Sequence, residues 1–584
     1  MTMILVRQWS TPRVRGERCR LAVLIWCLGS GLLASPAIAG LAPLSAQSLP
    51  LRNWGIDGTA YPHLRTYDLG LIDVTQRNIA HAPETMPVPL TGVIGLPPGR
   101  EAVPLVVILH GRYRGCHFAL PEVSQWPCPP NTETRFDLGF AYLAQSLINA
   151  GFGVIIPDLN AAFSETYGAG VGTRNQLADQ RSQQILDAHL TRLAIAVRSG
   201  SNAFGLPLTN RIDWTKLVLV GHSMGGGVAA LSALNRSQAS PDAMAGGRGP
   251  VSALVLVSPT RSYPLPQAGE VYQLADIPTV ILLGSCDRDL LDYSSLYYFE
   301  LADQTPTRQS PLATVLLLGA NHNFFNAAVE QDDYYRRADS SALCNPQQSD
   351  QRLSRVVQEQ FLQNYLEGFL KAVLGPAHGE DGWADLAMAP DRAAPDRLYG
   401  LPVLTNLAVP SHQRYRVFTA GLGGSTYQAS PGLNLAICPQ FSACGGTWRS
   451  PPFPAVLRLT WQRPAPTLAF SLPPADLSQF SSLQLRLAWV TAAQPNPSGA
   501  PLAIVLRDRR GAARRVDIPA TAPALHPLPT DSPATVQPLT YATALRIPLS
   551  QFRGIDLSSL TSLELSLNDV PQGVLDLATI EFIQ

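Results

Sequence analysis

Three polar residues in this sequence have the types and the order of a nucleophile, an acid and a base. Ser223 lies in the segment Gly221-His-Ser-Met-Gly225, and Asp287 and His322 each follow a separate apolar run further along the chain. A serine hydroxyl becomes a nucleophile when a histidine within hydrogen-bond reach takes its proton and a third group orients that histidine. The sequence therefore predicts nucleophilic catalysis with Ser223 as nucleophile, His322 as base and Asp287 as orienting acid.

The segment around Ser223 predicts a sharp turn from a strand into a helix. Leu217–Val220 is short and apolar, as buried strands are, and Val228–Leu234 is typical of a helix. Glycines on both sides leave room for a serine held in strained geometry above the sheet edge. The alternative is a glycine-rich turn in an ordinary βαβ unit, because so short a motif also arises by chance.

The acid and the base each have an alternative interpretation. Of ten histidines, His322 alone lies just past a predicted strand and downstream of the acid. Its alternative is a loop histidine that caps the strand end. Asp287 is preferred to Asp289 as the orienting acid on position alone. Asp289 and Asp292 are alternatively solvated, or hold the loop.

Two backbone N–H groups are predicted to bind the oxyanion of a tetrahedral intermediate. The Met224 N–H follows the serine, and the Arg112 N–H follows the apolar run Val103–Leu109, where the second donor is expected. Loss of one such donor typically costs about 3 kcal/mol of barrier. His110 and Gly111 are predicted to fix this loop, and the Arg112 side chain is alternatively only solvated.

The elements that position these residues alternate between strand and helix from residue 66 to residue 375. Thr66–Asp73 and Val88–Leu96 alternate in polarity and predict antiparallel edge strands. Continuous apolar runs then predict buried parallel strands, and amphipathic stretches predict helices between them. The runs are Val103–Leu109, Gly153–Ile156, Leu217–Val220, Ala253–Val257, Thr279–Leu283 and Thr314–Leu318, and the amphipathic stretches are Asp137–Ala150, Asn175–Val197 and Gln351–Leu374. The predicted fold class is α/β, with a mostly parallel sheet flanked by helices.

The character of the chain changes after Gly375. Residues 376–399 are small, charged and proline-bearing, which predicts a linker. Residues 400–584 contain short alternating segments separated by turn signals, which predict an all-β, antiparallel sandwich domain.

Length and composition describe a globular protein of more than one domain. The 584 residues exceed what one hydrophobic core holds. Lys+Arg and Asp+Glu are equal at 43 each, so nothing indicates a nucleic-acid or anionic-surface partner. No cysteine or histidine spacing matches a metal site, so no metal is predicted.

The N-terminal segment predicts export. Five arginines precede the apolar run Leu21–Leu33, and Ala37-Ile-Ala39 follows it, as in a secretory signal peptide. Residues 1–39 are predicted to be the signal peptide and residues 40–65 a leader, and the protein to be secreted or periplasmic. The apolar run is shorter than the ~20 residues of a membrane span, and no later stretch of the sequence reaches that length, so no span is predicted after cleavage. An uncleaved anchor is the alternative.

Six cysteines remain after the predicted cleavage, and an even number in an exported chain favours disulfide bonds. The sequence does not choose among the pairings. Two pairs of near neighbours, Cys116–Cys128 and Cys438–Cys444, would each close a short loop. That choice would leave Cys286 to pair with Cys344.

The order of these motifs resembles that of the α/β-hydrolase superfamily. Within it, the serine and histidine segments resemble those of secreted bacterial hydrolases of the chlorophyllase-like and cutinase-like (polyester hydrolase-like) group. The likeness spans about residues 66 to 374, and the acid segment departs from the cutinase type, so polyester activity does not transfer. The segments that carry the resemblance are His110-Gly111, Gly221–Gly227, Asp287 and Gly319–Asn326.

The resemblance implies an α/β-hydrolase fold and ester hydrolysis through an acyl-enzyme, as in esterases, lipases and cutinases. Ser223 would attack, His322 take and return the proton, and Asp287 orient the imidazolium, without metal or organic cofactor. Too few residues separate Val257 from Thr279 for a large helical lid. An open site suited to bulky or polymeric esters is therefore expected.

The sequence is also compatible with two other functions. The C-terminal part resembles carbohydrate-binding jelly rolls, so the chain is alternatively a binding protein that contacts carbohydrate or a surface and carries a degenerate hydrolase scaffold. Trp448, Trp461 and Trp489 are candidate platforms, although their place beside leucines on alternating strands favours core positions. The same triad would also serve an exported peptidase or acyltransferase.

Overall fold

A computed structural model gives the structure of this chain from residue 56 onward. It describes residues 56–584 apart from 57, 77–83, 117–124, 131, 165, 168–170, 173–174, 238–245, 248, 264–270, 291–293, 334–343, 346–350, 376–379, 439–454, 463–465, 491–500, 526–540 and 568–569. The predicted signal peptide and most of the predicted leader lie outside the described residues.

The apolar runs of the first two thirds of the chain become strands of one sheet. The described residues before 409 form thirteen strands: β1 (Leu64–Gln76), β2 (Glu84–Gly95), β3 (Val103–Leu109), β4 (Gln125–Trp126), β5 (Gly153–Pro157), β6 (Thr166–Tyr167), β7 (Val171–Gly172), β8 (Ile212–His222), β9 (Ala253–Val257), β10 (Thr279–Gly284), β11 (Leu312–Leu317), β12 (Arg397–Leu398) and β13 (Leu401–Ala408). Ten of them form a mixed sheet in the order β1-β2-β5-β3-β8-β9-β10-β11-β13-β12, and β4, β6 and β7 form a small separate sheet. The neighbours from β5 to β11 are parallel, whereas β1 pairs antiparallel with β2, as predicted.

Helices cover both faces of this sheet, which explains why its central strands are apolar along their whole length. The α-helices in the described residues are α1 (Ala141–Asn149), α2 (Asn175–Ser199), α3 (Met224–Arg236), α4 (Leu296–Asp303), α5 (Arg355–Leu374) and α6 (Glu380–Ala384). Alternate residues of a strand point to opposite faces. Val107 of β3 accordingly packs in one hydrophobic core with residues of α2, α3 and α4. Its neighbour Val106 packs in a second core with residues of α1 and α5.

The segment predicted as a linker is packed against the α/β region. Leu386 and Met388 are buried in the core that contains α5. The Tyr365 hydroxyl of α5 donates a hydrogen bond to the Leu386 carbonyl at 2.9 Å. The sequence also places residues 401–408 in the sandwich, but this strand, β13, pairs antiparallel with β11 of the ten-stranded sheet. Its pattern predicts a strand correctly, but a strand pattern does not specify a partner.

The described residues after β13 form two antiparallel sheets, and we call residues 414–583 the sandwich. The first sheet contains β14 (Arg414–Thr419), β16 (Leu433–Cys438), β17 (Val456–Trp461), β19 (Ser482–Trp489), β22 (Thr543–Pro548) and β24 (Gly573–Ile583). The second contains β15 (Tyr427–Ala429), β18 (Thr467–Ser471), β20 (Leu502–Asp508), β21 (Ala513–Ile518) and β23 (Leu560–Ser566). Trp461 and Trp489 are 1% and 6% exposed in the core between the sheets, so the core interpretation is confirmed for both. Trp448 lies outside the described residues.

A buried polar network joins the sandwich to the α/β region. Arg486 of β19, which is 2% exposed, forms a two-pronged ion pair with Glu300 of α4. Arg414 and Arg416 bond the carboxylate of Asp303 at 2.6 and 2.9 Å. Removing one partner of a buried ion pair typically costs about 3–5 kcal/mol, because the other charge is left without compensation. The sandwich is therefore held to the α/β region by charge as well as by packing.

Two disulfide bonds are present in the described residues. Cys116 pairs with Cys128 and Cys286 pairs with Cys344. Cys438 is also disulfide-bonded, and Cys444 lies outside the described residues. In the described part of the chain, no helix has the length and apolar character needed to cross a membrane.

Candidate active site

Ser223 occupies the sharp turn that its neighbours predict. β8 ends at His222 and α3 begins at Met224, which leaves Ser223 alone between strand and helix with φ 56° and ψ −125°. A positive φ is costly for a residue with a side chain and persists only where the surroundings impose it. Here the Ser223 N–H donates to the Val257 carbonyl at 2.9 Å. The Ser223 carbonyl accepts from the N–H groups of Gly226 and Thr260 at 2.9 and 3.0 Å.

Two glycines allow the backbone to approach this turn closely. A Cβ on Gly225 would lie 2.3 Å from the Leu109 carbonyl oxygen, at the end of β3. A Cβ on Gly111 would lie 2.6 Å from the Cβ of Ser223. Both distances are too short for any side chain. The loop after β3 therefore lies directly against Ser223, and only glycine fits at either position.

His322 and Asp287 form a buried pair at the ends of adjacent strands. Asp287 follows β10, His322 follows β11, and His322 Nδ1 lies 2.7 Å from Asp287 Oδ2. The N–H groups of Asp289 and Leu290 donate to Asp287 Oδ1 at 3.0 and 2.8 Å, which fixes the carboxylate. A carboxylate accepts hydrogen bonds, so the neutral imidazole carries its proton on Nδ1 and presents a lone pair on Nε2.

The Nε2 atom of His322 is buried and, among the described residues, has no hydrogen-bond partner. An unpaired polar atom in the interior is costly, and a catalytic role is one explanation for it. Ser223 and His322 are therefore not hydrogen-bonded to each other in this structure. Contacts of this kind are often long without substrate and tighten when substrate binds.

Electrostatics favour a charged His322–Asp287 pair. Burial lowers the pKa of His322, but the adjacent Asp287, with help from Asp289 and Asp333, outweighs burial and raises the pKa to about 9. Burial also raises the pKa of Asp287, but the His322 ring beside it outweighs burial and lowers that pKa below its ordinary value. Each group therefore stabilises the ionised form of the other.

The two candidate acids contact opposite nitrogens of the histidine. Asp287 contacts Nδ1 at 2.7 Å, whereas Asp289 Oδ2 lies 3.7 Å from Nε2 and its side chain is 60% exposed. The orienting position is behind the ring, on Nδ1, because Nε2 must face the serine. This geometry favours Asp287 over Asp289. Asp292 lies outside the described residues.

His222, which the sequence marks only as part of the serine motif, ties this turn to the loop of His322. The His222 Nε2 lies 3.0 Å from the His322 carbonyl oxygen, and the Tyr113 hydroxyl lies 3.2 Å from His222 Nδ1. Burial lowers the pKa of His222 well below its ordinary value, and the nearby His322 lowers it further. A neutral His222 therefore donates from Nε2 to the carbonyl and accepts from Tyr113. This bond connects positions 100 residues apart.

Asp333 is a second residue that sequence reasoning missed. Its carboxylate accepts from the Arg288 N–H at 2.8 Å and from the His322 and Asn323 N–H groups at 3.3 Å each. It therefore ties the loop that carries the acid to the loop that carries the base. Burial, together with the charge of Asp287, raises the pKa of Asp333 to about 6. No periodicity or motif marks this residue in the sequence.

The loop predicted to bind the oxyanion is fixed by His110. His110 is fully buried, its Nδ1 lies 2.8 Å from the Gly111 carbonyl oxygen, and its Nε2 accepts from the Leu159 N–H at 2.8 Å. Arg112 follows Gly111, the residue that lies against Ser223. Met224 is the first residue of α3, where N–H groups have no acceptor within the helix. Both predicted donors are thus on segments that border the serine.

Comparison with known proteins gives distant structural similarity only. No protein-family model and no curated protein sequence matches the chain. Among solved structures, esterase 2 of Thermogutta terrifontis phosphorylated by paraoxon is 14% identical with a TM-score of 0.29, over 53% of this chain and 95% of that one. An esterase of Pyrobaculum calidifontis is 19% identical with a TM-score of 0.24, over 44% of this chain and 79% of that one. A family 11 carbohydrate-binding module from Clostridium thermocellum is 13% identical with a TM-score of 0.20, over 29% of this chain and 94% of that one.

Proposed function

We propose that this protein is a secreted or periplasmic serine hydrolase of the α/β-hydrolase type that cleaves carboxylic esters through an acyl-enzyme. The observation that carries the proposal is the buried His322–Asp287 pair, which lies on a loop tied to the strained turn of Ser223. Its remaining ring nitrogen has no hydrogen-bond partner in the part of the chain that the structure describes. The disulfide bonds support export, because disulfides persist in oxidising compartments. Contact of the sandwich with carbohydrate or another surface stays a prediction.

In the proposed reaction the serine oxygen bonds to the ester carbonyl carbon. His322 Nε2 takes the hydroxyl proton, and Asp287 stabilises the imidazolium that forms. The N–H groups of Met224 and Arg112 bind the carbonyl oxygen as it becomes negative. When the carbon–oxygen bond to the alcohol breaks, His322 returns the proton to that alcohol. Water, activated by the same nitrogen, then attacks the acyl-enzyme and releases the carboxylic acid.

Covalent labelling tests the identity of the nucleophile. A fluorophosphonate should transfer its phosphonyl group to Ser223, because it reacts with an activated serine and the adduct resembles the tetrahedral intermediate. We expect the intact protein to gain the mass of one adduct, and tandem mass spectrometry to place that adduct on Ser223. The rate of p-nitrophenyl butyrate hydrolysis should fall in proportion to the fraction of protein labelled. The binding-protein alternative predicts no adduct, and an adduct elsewhere would reject the proposed nucleophile.

The activity is expected to depend on pH through His322. The base must be neutral to accept a proton, and its pKa is raised to about 9. The value of kcat/KM should therefore rise about tenfold per pH unit from pH 6 and level off above about pH 9. Asp289→Asn should move this rising limb of the pH profile to lower pH, because it removes a negative charge that lies 3.7 Å from Nε2 and helps to raise the pKa of His322.

The control for this pH profile is Asp517→Asn, which removes an exposed carboxylate of the sandwich. It should leave the profile unchanged. Because the Asp289 side chain is 60% exposed, high salt should reproduce part of the Asp289→Asn shift in the unaltered protein. A rate that is flat, or that falls, between pH 6 and 9 would contradict the role given to His322.

A further inference from the structure

A cavity of about 420 Å³ lies between β22 of the sandwich and the segment that connects the sandwich to the α/β region. Its walls are apolar where Leu398, Tyr399 and several alanines line it, and charged elsewhere. None of the residues proposed for catalysis lines this cavity. The charged residues that line it are Asp385, Arg392, Arg397 and Arg546.

Arg546 forms the buried side of this cavity. It is 3% exposed, and its terminal nitrogens donate to the carbonyls of Ala389 at 2.5 Å and Ala387 at 3.2 Å. Its Nε, in the described part of the chain, has no hydrogen-bond partner. Burial lowers the pKa of Arg546 to about 10, and Asp391 opposes that effect. The side chain is therefore still a cation at neutral pH.

Another buried arginine of the same sheet, Arg486, differs from Arg546 in one respect. Arg486 has the carboxylate of Glu300 against it, whereas Arg546 has, among the described residues, only neutral carbonyl groups within hydrogen-bond distance. A buried charge without a counter-charge is strongly destabilising. An anionic group within hydrogen-bond distance of Arg546 would offset part of that cost.

The charge of the cavity lining has the same sign as Arg546. Three arginines line it against one aspartate, and Arg392 and Arg397 are exposed at its rim. Guanidinium groups match the geometry of carboxylate and phosphate oxygens, which accept two parallel N–H bonds. The volume is within the range of small-molecule sites and suits a body the size of one sugar ring.

We infer that this cavity binds a small organic anion through one oxyanion group, a carboxylate or a phosphate, that contacts Arg546. Arg392 and Arg397 attract the anion at the rim, and Leu398 and Tyr399 contact its apolar parts. The anion places a negative charge against Arg546, whose hydrogen-bond partners among the described residues are neutral carbonyl groups. The site does not depend on the proposed ester hydrolysis.

Isothermal titration calorimetry on the full-length mature protein tests the site. Glucuronate and glucose 6-phosphate are the two probes, glucose is the uncharged match, and sodium chloride keeps ionic strength constant. We expect at least one anion to bind with one-to-one stoichiometry and to raise the unfolding midpoint as its concentration rises, whereas glucose does neither. The better probe identifies the preferred oxyanion.

Variants separate the site from general charge effects. Arg546→Gln should weaken binding at least about tenfold, and Arg397→Gln, which alters only the rim, about threefold or more. Arg515→Gln, an exposed arginine of the sandwich, should bind as the unaltered protein does. Circular dichroism checks that each variant is folded. If Arg546→Gln does not fold, the Arg397→Gln variant still decides the test. Binding of neither anion, equal binding of glucose, or unchanged binding by Arg397→Gln and every folded Arg546 variant would overturn the inference.

Discussion

Replacing Ser223 with alanine is expected to lower kcat/KM for p-nitrophenyl butyrate by about 10⁴-fold or more. The variant lacks the oxygen that forms the acyl-enzyme, so only the oxyanion donors and substrate binding remain to accelerate direct attack by water. His322→Ala should lower the rate by a similar factor, because without its base the hydroxyl stays a weak nucleophile. The double variant should lose little more than either single one, since the two residues act as a unit.

Ser232→Ala is the matched control for this experiment. Ser232 is also a buried serine, on α3, and its hydroxyl donates to Gln183 Oε1 at 2.9 Å. Its replacement should leave kcat/KM within about twofold of the unaltered protein. The rates should be compared only for variants whose unfolding midpoint equals that of the unaltered protein. A folded Ser223→Ala protein that keeps more than a few per cent of the activity would remove Ser223 from the mechanism.

The parts of the site that were predictable from sequence are those set by local patterns. The continuous apolar runs of β8, β10 and β11 locate the ends of buried strands, and parallel strands place those ends at one edge of the sheet. Glycines around Ser223 mark a turn that no larger residue permits. Short-range signals of this kind were enough to name Ser223, Asp287 and His322 as candidates.

The parts that were not predictable depend on contacts between distant segments. His222 reaches the His322 carbonyl and Asp333 joins two loops, and neither bond has a pattern in the sequence because only the folded backbone brings the partners together. The position of β13 is a similar case. Its residues predict a strand, but they fit the α/β region and the sandwich equally well. Its pairing with β11 depends on which open sheet edge lies next to it in the folded chain.

Asp287→Asn is the second change for which a large effect is expected, and it separates the two candidate acids. An amide at this position cannot stabilise the imidazolium, and its N–H₂ group can donate to Nδ1 and so place the ring proton on Nε2, the wrong side for a base. The expected loss in kcat/KM is about 10³- to 10⁴-fold. Because the largest contribution that raises the pKa of His322 also disappears, the residual activity should show its pH limb well below pH 9.

Asp289→Asn is the paired measurement, and its expected loss is less than about fivefold at pH 9. The difference follows from geometry. Asp287 is buried and lies 2.7 Å from Nδ1, where it orients the ring. The Asp289 side chain is 60% exposed and comes no nearer to Nε2 than 3.7 Å. Kinetics of both variants at one pH above the limb and one below it distinguish orientation of the base from a simple charge effect. If Asp289→Asn costs more than Asp287→Asn above the limb, the acid that orients His322 during catalysis is Asp289, and the pairing seen between Asp287 and Nδ1 is only structural.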